Sequence, residues 1–195
     1  MFKKKYFIKT FLVWLPFIFA ISCMCLLVYG AVQHVLRIGA NDPQIQMAED
    51  AADALSAGKE AASILPNQRI DISKSLAPHM IIYDNQGHIF SSSATLHGSP
   101  PQIPGGVFAD AERLGELRFT WQPEEGIRQA VVVVAYPGIN SGFVLAGRSL
   151  REVEYRIDDL GLEVVIAWIG SLLGTFVVLW IVIFFLGKDK KKRKK

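Results

Sequence analysis

Residues 164–187 read VVIAWIGSLLGTFVVLWIVIFFLG, and this stretch decides the architecture. It contains no Lys, Arg, Asp or Glu and almost no polar group. It is longer than the roughly 20 residues a helix needs to cross a bilayer core. A soluble helix this apolar on every side needs a large protein to bury it. Residues 10–33, TFLVWLPFIFAISCMCLLVYGAVQ, form a second run without charge. A chain of 195 residues has nothing large enough to bury both. The sequence therefore predicts two transmembrane helices, at 10–33 and 164–187.

The flanking charge orients them. Lys3, Lys4, Lys5 and Lys9 precede the first run. Lys188, Lys190, Lys191, Lys192, Arg193, Lys194 and Lys195 follow the second, offset by Asp189. These two tails carry a formal +10 of a total of +3, so residues 31–163 carry −7. The positive-inside rule places both basic tails (1–9 and 188–195) in the cytoplasm and the acidic segment 34–163 outside. Trp14, Tyr29, Trp168 and Trp180 include candidates for the membrane interface. A cleaved signal peptide is the rival reading of the first run. Its apolar stretch is long for that role, and no convincing small-x-small site ends it before Arg37. Ala20-Ile21-Ser22-Cys23 faintly resembles a lipoprotein processing site, but more membrane-like sequence follows it. Cys23 and Cys25 both lie in the first span, so the outer segment must be stable without disulfides.

The outer segment reads as one α+β domain. Asp42 suits an N-cap and Pro43 a first helical position, followed by a helix to about Ala57. Ile45, Ala48, Ala52 and Leu55 give it one apolar face. Gly58 ends that helix or is tolerated within it, and Pro66 stops it. His79 to Tyr83 is a strand, Asp84-Asn85-Gln86-Gly87 a turn, and His88 to Phe90 the returning strand. Ser91 to Gly106 is rich in Ser, Gly and Pro and reads as an exposed loop; Val107 to Leu114 fits a short helix. Glu116 to Trp121 is a third strand, and Pro123 to Gly126 a turn. Ile127 to Tyr136 is a fourth strand whose Val131-Val132-Val133-Val134 core is apolar on both faces, hence central in the sheet. A turn at Pro137 to Gly142 leads to a fifth strand, Phe143 to Ala146, beside the fourth. Ser149 and Glu152 form a capping-box pattern at the head of a last helix with a Leu150, Val153, Ile157, Leu160 stripe. That helix bends at Gly161 or runs straight into the second span, linking the sheet closely to the membrane.

This order of elements resembles the sensor half of a bacterial membrane histidine kinase, with a PAS-like or Cache-like extracytoplasmic domain. Ile82-Tyr83-Asp84-Asn85-Gln86-Gly87 resembles the first hairpin of such domains. Residues 143–154, FVLAGRSLREVE, resemble the final strand and exit helix. The resemblance covers roughly residues 1–187 and implies a small antiparallel sheet with flanking helices between two transmembrane helices. It departs after Gly187, where a kinase would continue into a HAMP linker, a phospho-acceptor helix and an ATP-binding domain. Eight mostly basic residues stand there instead. The expectation is a stand-alone sensor subunit, an adaptor or a remnant.

The resemblance also implies a ligand pocket between the sheet and its overlying loops or helices. Tyr83, His97, Trp121, Arg128, Tyr136 and Arg148 offer the mix of aromatic area and polar anchors that pockets use. The plainer reading puts Tyr83, Trp121 and Tyr136 in the sheet core and both arginines in water. His79, His88 and His97 lie nine residues apart, which is not a metal-ligand spacing, although a hairpin could bring His79 towards His88. No metal or other cofactor is expected. No Ser-His-Asp arrangement or Gly-rich phosphate loop is present, and an enzyme is not expected. Gly170 and Gly174 make a Gly-x-x-x-Gly step suited to a homodimer or a partner helix; the alternatives are incidental membrane glycines or packing against the first span. The basic tail fits anionic lipid, at about 1 kcal/mol per Lys or Arg, rather than nucleic acid. Two functions remain: a regulatory, ligand-sensing subunit acting through a histidine kinase or another membrane signalling partner, and an envelope binding or structural protein without signalling output.

Overall fold

The computed structural model describes residues 2–65, 68–138 and 140–192, with side chains for 7–65, 68–138 and 140–186. The helices are α1 (Phe2–Gly39), α2 (Asp42–Ser56), α3 (Ala61–Ile64), α4 (Gly106–Leu114) and α5 (Arg151–Lys192). The strands are β1 (Ile70–Asp71), β2 (His79–Asp84), β3 (Ile89–Ser92), β4 (Ala94–Thr95), β5 (Glu116–Glu124), β6 (Ile127–Tyr136) and β7 (Gly142–Ser149). The chain divides into two compact units: Leu36–Tyr155, and the chain on either side of it.

In the terminal unit, α1 and α5 are both long and apolar enough to cross a membrane, and their most apolar stretches are unburied. α1 runs unbroken through Pro16, and α5 through Gly161. The two helices meet in an antiparallel ladder. Phe7 stacks edge-on against Phe176, and Trp14 does the same with ring centroids 5.1 Å apart. The Trp14 indole donates to Thr175 Oγ1 at 3.0 Å, and the Trp168 indole to Ser22 Oγ at 2.9 Å. Trp14 and Trp168 thus serve helix pairing, where hydroxyl partners satisfy N–H groups that hydrocarbon cannot.

The other unit is a five-stranded antiparallel sheet in the order β3-β2-β7-β6-β5. Strand period two sends alternate residues to opposite faces. On one face Ile81, Tyr83, Trp121, Val131, Val133, Phe143 and Leu145 pack with Ile72, Ala94, Ile103 and Ala111. On the other, Met80, Ile82, Val132, Tyr136, Val144 and Ala146 pack under Ala48, Ala51, Ala52 and Ala61. The small alanines of α2 let the helix lie close to the sheet, with Ile45 and Leu55 at its flanks. Burying one Val or Ile contributes about 1.5–3 kcal/mol. An exposed ion pair contributes roughly 0–1 kcal/mol. The two-sided core therefore outweighs the surface pairs in holding this unit together.

Several details differ from the sequence expectation. Asn41, not Asp42, is the N-cap of α2, and it makes no side-chain cap bond. The buried Gln44 amide lies against Ala40 O (2.8 Å) and Asn41 O (3.2 Å), so its nitrogen is assigned to that side, where it can donate to carbonyls just before the helix. Gly58, at φ +84°, ends the α2 region, and α3 is a separate turn. The expected stop at Pro66 lies outside the described residues, as do Ile139 of the β6–β7 turn and Arg193, Lys194 and Lys195. The segment from Ser91 is not simply an exposed loop. Ser93 is buried, its hydroxyl accepting from Met80 N–H and donating to Met80 O. Ala94 then enters β4, which pairs in parallel with β1, a strand too short to show in the sequence. β5 runs through Pro123 to Glu124 with an irregularity after Trp121, as an edge strand tolerates. The strand in the middle of the sheet is β7; β6 is its neighbour, flanked on both sides and apolar on both faces.

Candidate functional site

The Asp84-to-Gly87 turn is built by its own side chain. Asp84 Oδ1 accepts from the backbone N–H of Gln86 (2.9 Å) and of His88 (2.8 Å). The His88 bond, opposed by partial burial and helped by Gln86, holds the Asp84 carboxyl below the usual carboxylate range. Beyond the turn the β2–β3 register shifts. Ile82 pairs with Ser91 but Tyr83 pairs with Ile89, so Phe90 is the extra, unpaired residue of a bulge. Phe90 points outward and is 70% exposed.

The β6–β7 turn lies at the same end of the sheet, because Asp84 pairs with Gly142 and Tyr136 with Gly142 from the other side. Gly142 is there for space. A Cβ on it would lie 2.2 Å from Tyr83 O and 2.9 Å from the Tyr136 hydroxyl. Between these turns and the end of α2 is a cleft of about 630 Å³. Tyr136 and Leu55 form apolar walls, and Phe90 stands at its edge. Asn85, Asn140, Ser141, Lys59 and Glu60 bring polar side chains to it. Burial, and then the charge of Asp84, push the Tyr136 phenol upward, so it stays protonated near neutrality.

Of the six expected pocket residues, only Tyr136 lines this cleft. Tyr83 and Trp121 lie in the core of the opposite face. Tyr83 packs edge-on against Phe108 at 4.9 Å; its hydroxyl has no hydrogen-bond partner, and burial raises its pKa. His97 stands at φ +52° in a tight turn with Gly98 and reaches the Glu124 carboxylate at 2.8 Å. Arg128 is paired with Glu154 on the surface. Arg148 is half-buried on β7. These side chains do not converge. The residues that line the cleft were read as helix (Leu55 and the stretch up to Pro66), turn or strand residues, and only the tertiary structure brings them together.

His79 and His88 are kept apart. His79 is five residues before the turn end of β2, whereas His88 bonds to Asp84 at that end. The His79 ring is buried over Gly147, where a Cβ would come within 2.5 Å of Nε2. Nε2 has no partner, and burial pushes the ring down to about 4. Among the described residues, no three His, Cys, Asp or Glu side chains are grouped to hold a metal ion. Gly170 and Gly174 are not packed against α1: a Cβ on either would meet nothing within 4 Å. Thr175 is the small polar residue turned to α1. No family model matches this chain, and no curated protein matches it significantly.

Proposed function

We propose that this chain is a two-pass protein of the bacterial plasma membrane whose extracytoplasmic, PAS-like or Cache-like domain binds a small molecule and regulates a membrane signalling partner. In this reading the domain binds and does not catalyse, both basic termini are cytoplasmic, and the tails rest on anionic lipid. The observation that carries it is the continuity of α5. The helix starts at Arg151, two residues after β7 ends, and continues unbroken through the whole apolar run. Ser149 Oγ accepts from Arg151 N–H, and Leu150 N–H donates to Arg128 O on β6. A ligand that binds one arrangement of the sheet end better than another therefore biases how the helix begins, and shifts populations only by that difference in affinity. Gly170 and Gly174 leave a face of α5 that α1 does not use, suited to a second copy or a partner's helix.

Crosslinking in native membranes, followed by purification and mass spectrometry, tests this. Recovery of a histidine kinase or another signalling protein, lost in Gly170→Leu and Gly174→Leu, is the expected result. Recovery of self-crosslinks alone, or of envelope proteins held through the outer domain, rejects it in favour of an envelope binding or structural protein.

A further inference from the structure

We propose that the cleft between α3 and the two sheet-end turns binds a neutral saccharide, with Phe90 stacked on the C–H face of a sugar ring and Asn85, Asn140 and Ser141 exchanging hydrogen bonds with its hydroxyls. The inference rests on the ligand-binding reading above and gives it a chemical class.

Phe90 is the starting point. Its neighbours on β2, β6 and β7 bury their large side chains, yet Phe90 is left 70% exposed. The cause is local: the bulge inserts Phe90 between the paired Ile89 and Ser91 and turns it out of the ladder. Bulges on edge strands commonly re-aim a side chain in this way beside a functional site. β3 is an edge strand of the sheet, and Phe90 stands against the cleft rather than at a remote surface. An aromatic face rimmed by groups that both donate and accept is the complement of a sugar, which has a C–H face and a hydroxyl edge. Asn amides and the Ser hydroxyl each supply donor and acceptor together. Among the described residues, no hydrogen bond engages the side-chain polar atoms of Asn85, Asn140 or Ser141.

The charge pattern points away from ionic ligands. Lys59 and Glu60 bring one charge of each sign to the cleft, so its lining carries no excess of positive charge for a carboxylate or phosphate. The Asp84 carboxylate is already occupied by two backbone N–H groups and the His88 ring. The protonated Tyr136 hydroxyl at the wall is one further neutral partner. The volume lies in the range of small-molecule sites.

The test uses the full chain in lipid nanodiscs and saturation-transfer NMR. The probes are tri-N-acetylglucosamine, maltotriose and cellotriose, with glutamate and glycine as charged comparators. At least one trisaccharide is expected to bind. Phe90→Ala should weaken that binding by about tenfold, the size of one lost aromatic contact. Phe90→Trp should retain it, and Asn140→Ala should weaken it. Phe90 is exposed, and an unchanged melting curve for Phe90→Ala separates lost binding from lost fold. The proposal is overturned if no trisaccharide binds, or if binding survives Phe90→Ala. It is also overturned if Phe90→Ala changes only the oligomer mass, which makes Phe90 an interface residue. Glutamate or glycine binding at the cleft overturns the saccharide class and leaves ligand sensing standing. The signalling reading falls only on the crosslinking result.

Discussion

Gly87 closes the β2–β3 turn at φ +81°, and a Cβ there would sit 2.8 Å from the Phe108 ring. Phe108 is itself packed against Tyr83 and Phe143. Gly87→Ala therefore combines left-handed backbone strain with a displaced core ring. We expect a loss of about 1–3 kcal/mol in the stability of the Leu36–Tyr155 unit, read by urea unfolding of the detergent-solubilised chain. His79 gives a pH dependence. Its folded pKa is about 4 against the ordinary 6.5, so between these values the unfolded chain binds a proton that the folded chain refuses. Stability is complete above pH 6.5 and falls as pH drops towards 4, by about 3 kcal/mol in the limit. Asp71 and Asp84 are both held below the ordinary carboxylate range and titrate further into acid. Unfolding midpoints at pH 7 and pH 4.5 should differ in the native chain, and the difference should shrink in His79→Gln. An equal acid loss in both proteins would rule His79 out as its source.

The helix pair and the strand-to-helix junction behave differently under mutation. The Trp14–Thr175 bond lies between α1 and α5 in apolar surroundings. A double-mutant cycle with Trp14→Phe and Thr175→Val should give a coupling of about 0.6–1.7 kcal/mol, measured as resistance to SDS unfolding. Arg128 on β6 and Glu154 on α5 also pair, but both side chains are more than a third exposed. Arg128→Ala should therefore change stability by no more than about 1 kcal/mol, with the effect shrinking further in high salt. Apolar runs, α2, α4 and all five strands of the main sheet were legible in the sequence, because period and turn chemistry are local. The β1–β4 pair was not legible. Two-residue strands carry no period, and Ser91-Ser92-Ser93 has the composition of a loop. Ser93 is nevertheless buried, because Met80 supplies both of its hydrogen-bond partners from another strand.

At the scale of the whole chain, the charge asymmetry makes a topological prediction. In a background with Cys23→Ser and Cys25→Ser, a cysteine placed by Gln86→Cys should react with a membrane-impermeant maleimide on intact cells. One placed by Lys190→Cys should react only after lysis. Equal labelling of both, or labelling of Lys190→Cys alone, would overturn the cytoplasmic placement of the tails. By itself, the sequence determined the two apolar spans, the basic flanks and the acidic α+β segment between them, since hydropathy, charge and period are properties of residues in order. Tertiary structure alone decided where the cleft opens. Tyr83, Trp121 and Tyr136 share aromatic character, yet strand alternation sends Tyr136 to the face opposite the other two. The cleft brings together Asn85 and Asn140, 55 residues apart in sequence, because β2 and β7 pair antiparallel with Asp84 against Gly142. Its aromatic edge exists because one extra residue in β3 turns Phe90 outward, and a one-residue bulge leaves no mark in the alternation of a four-residue strand.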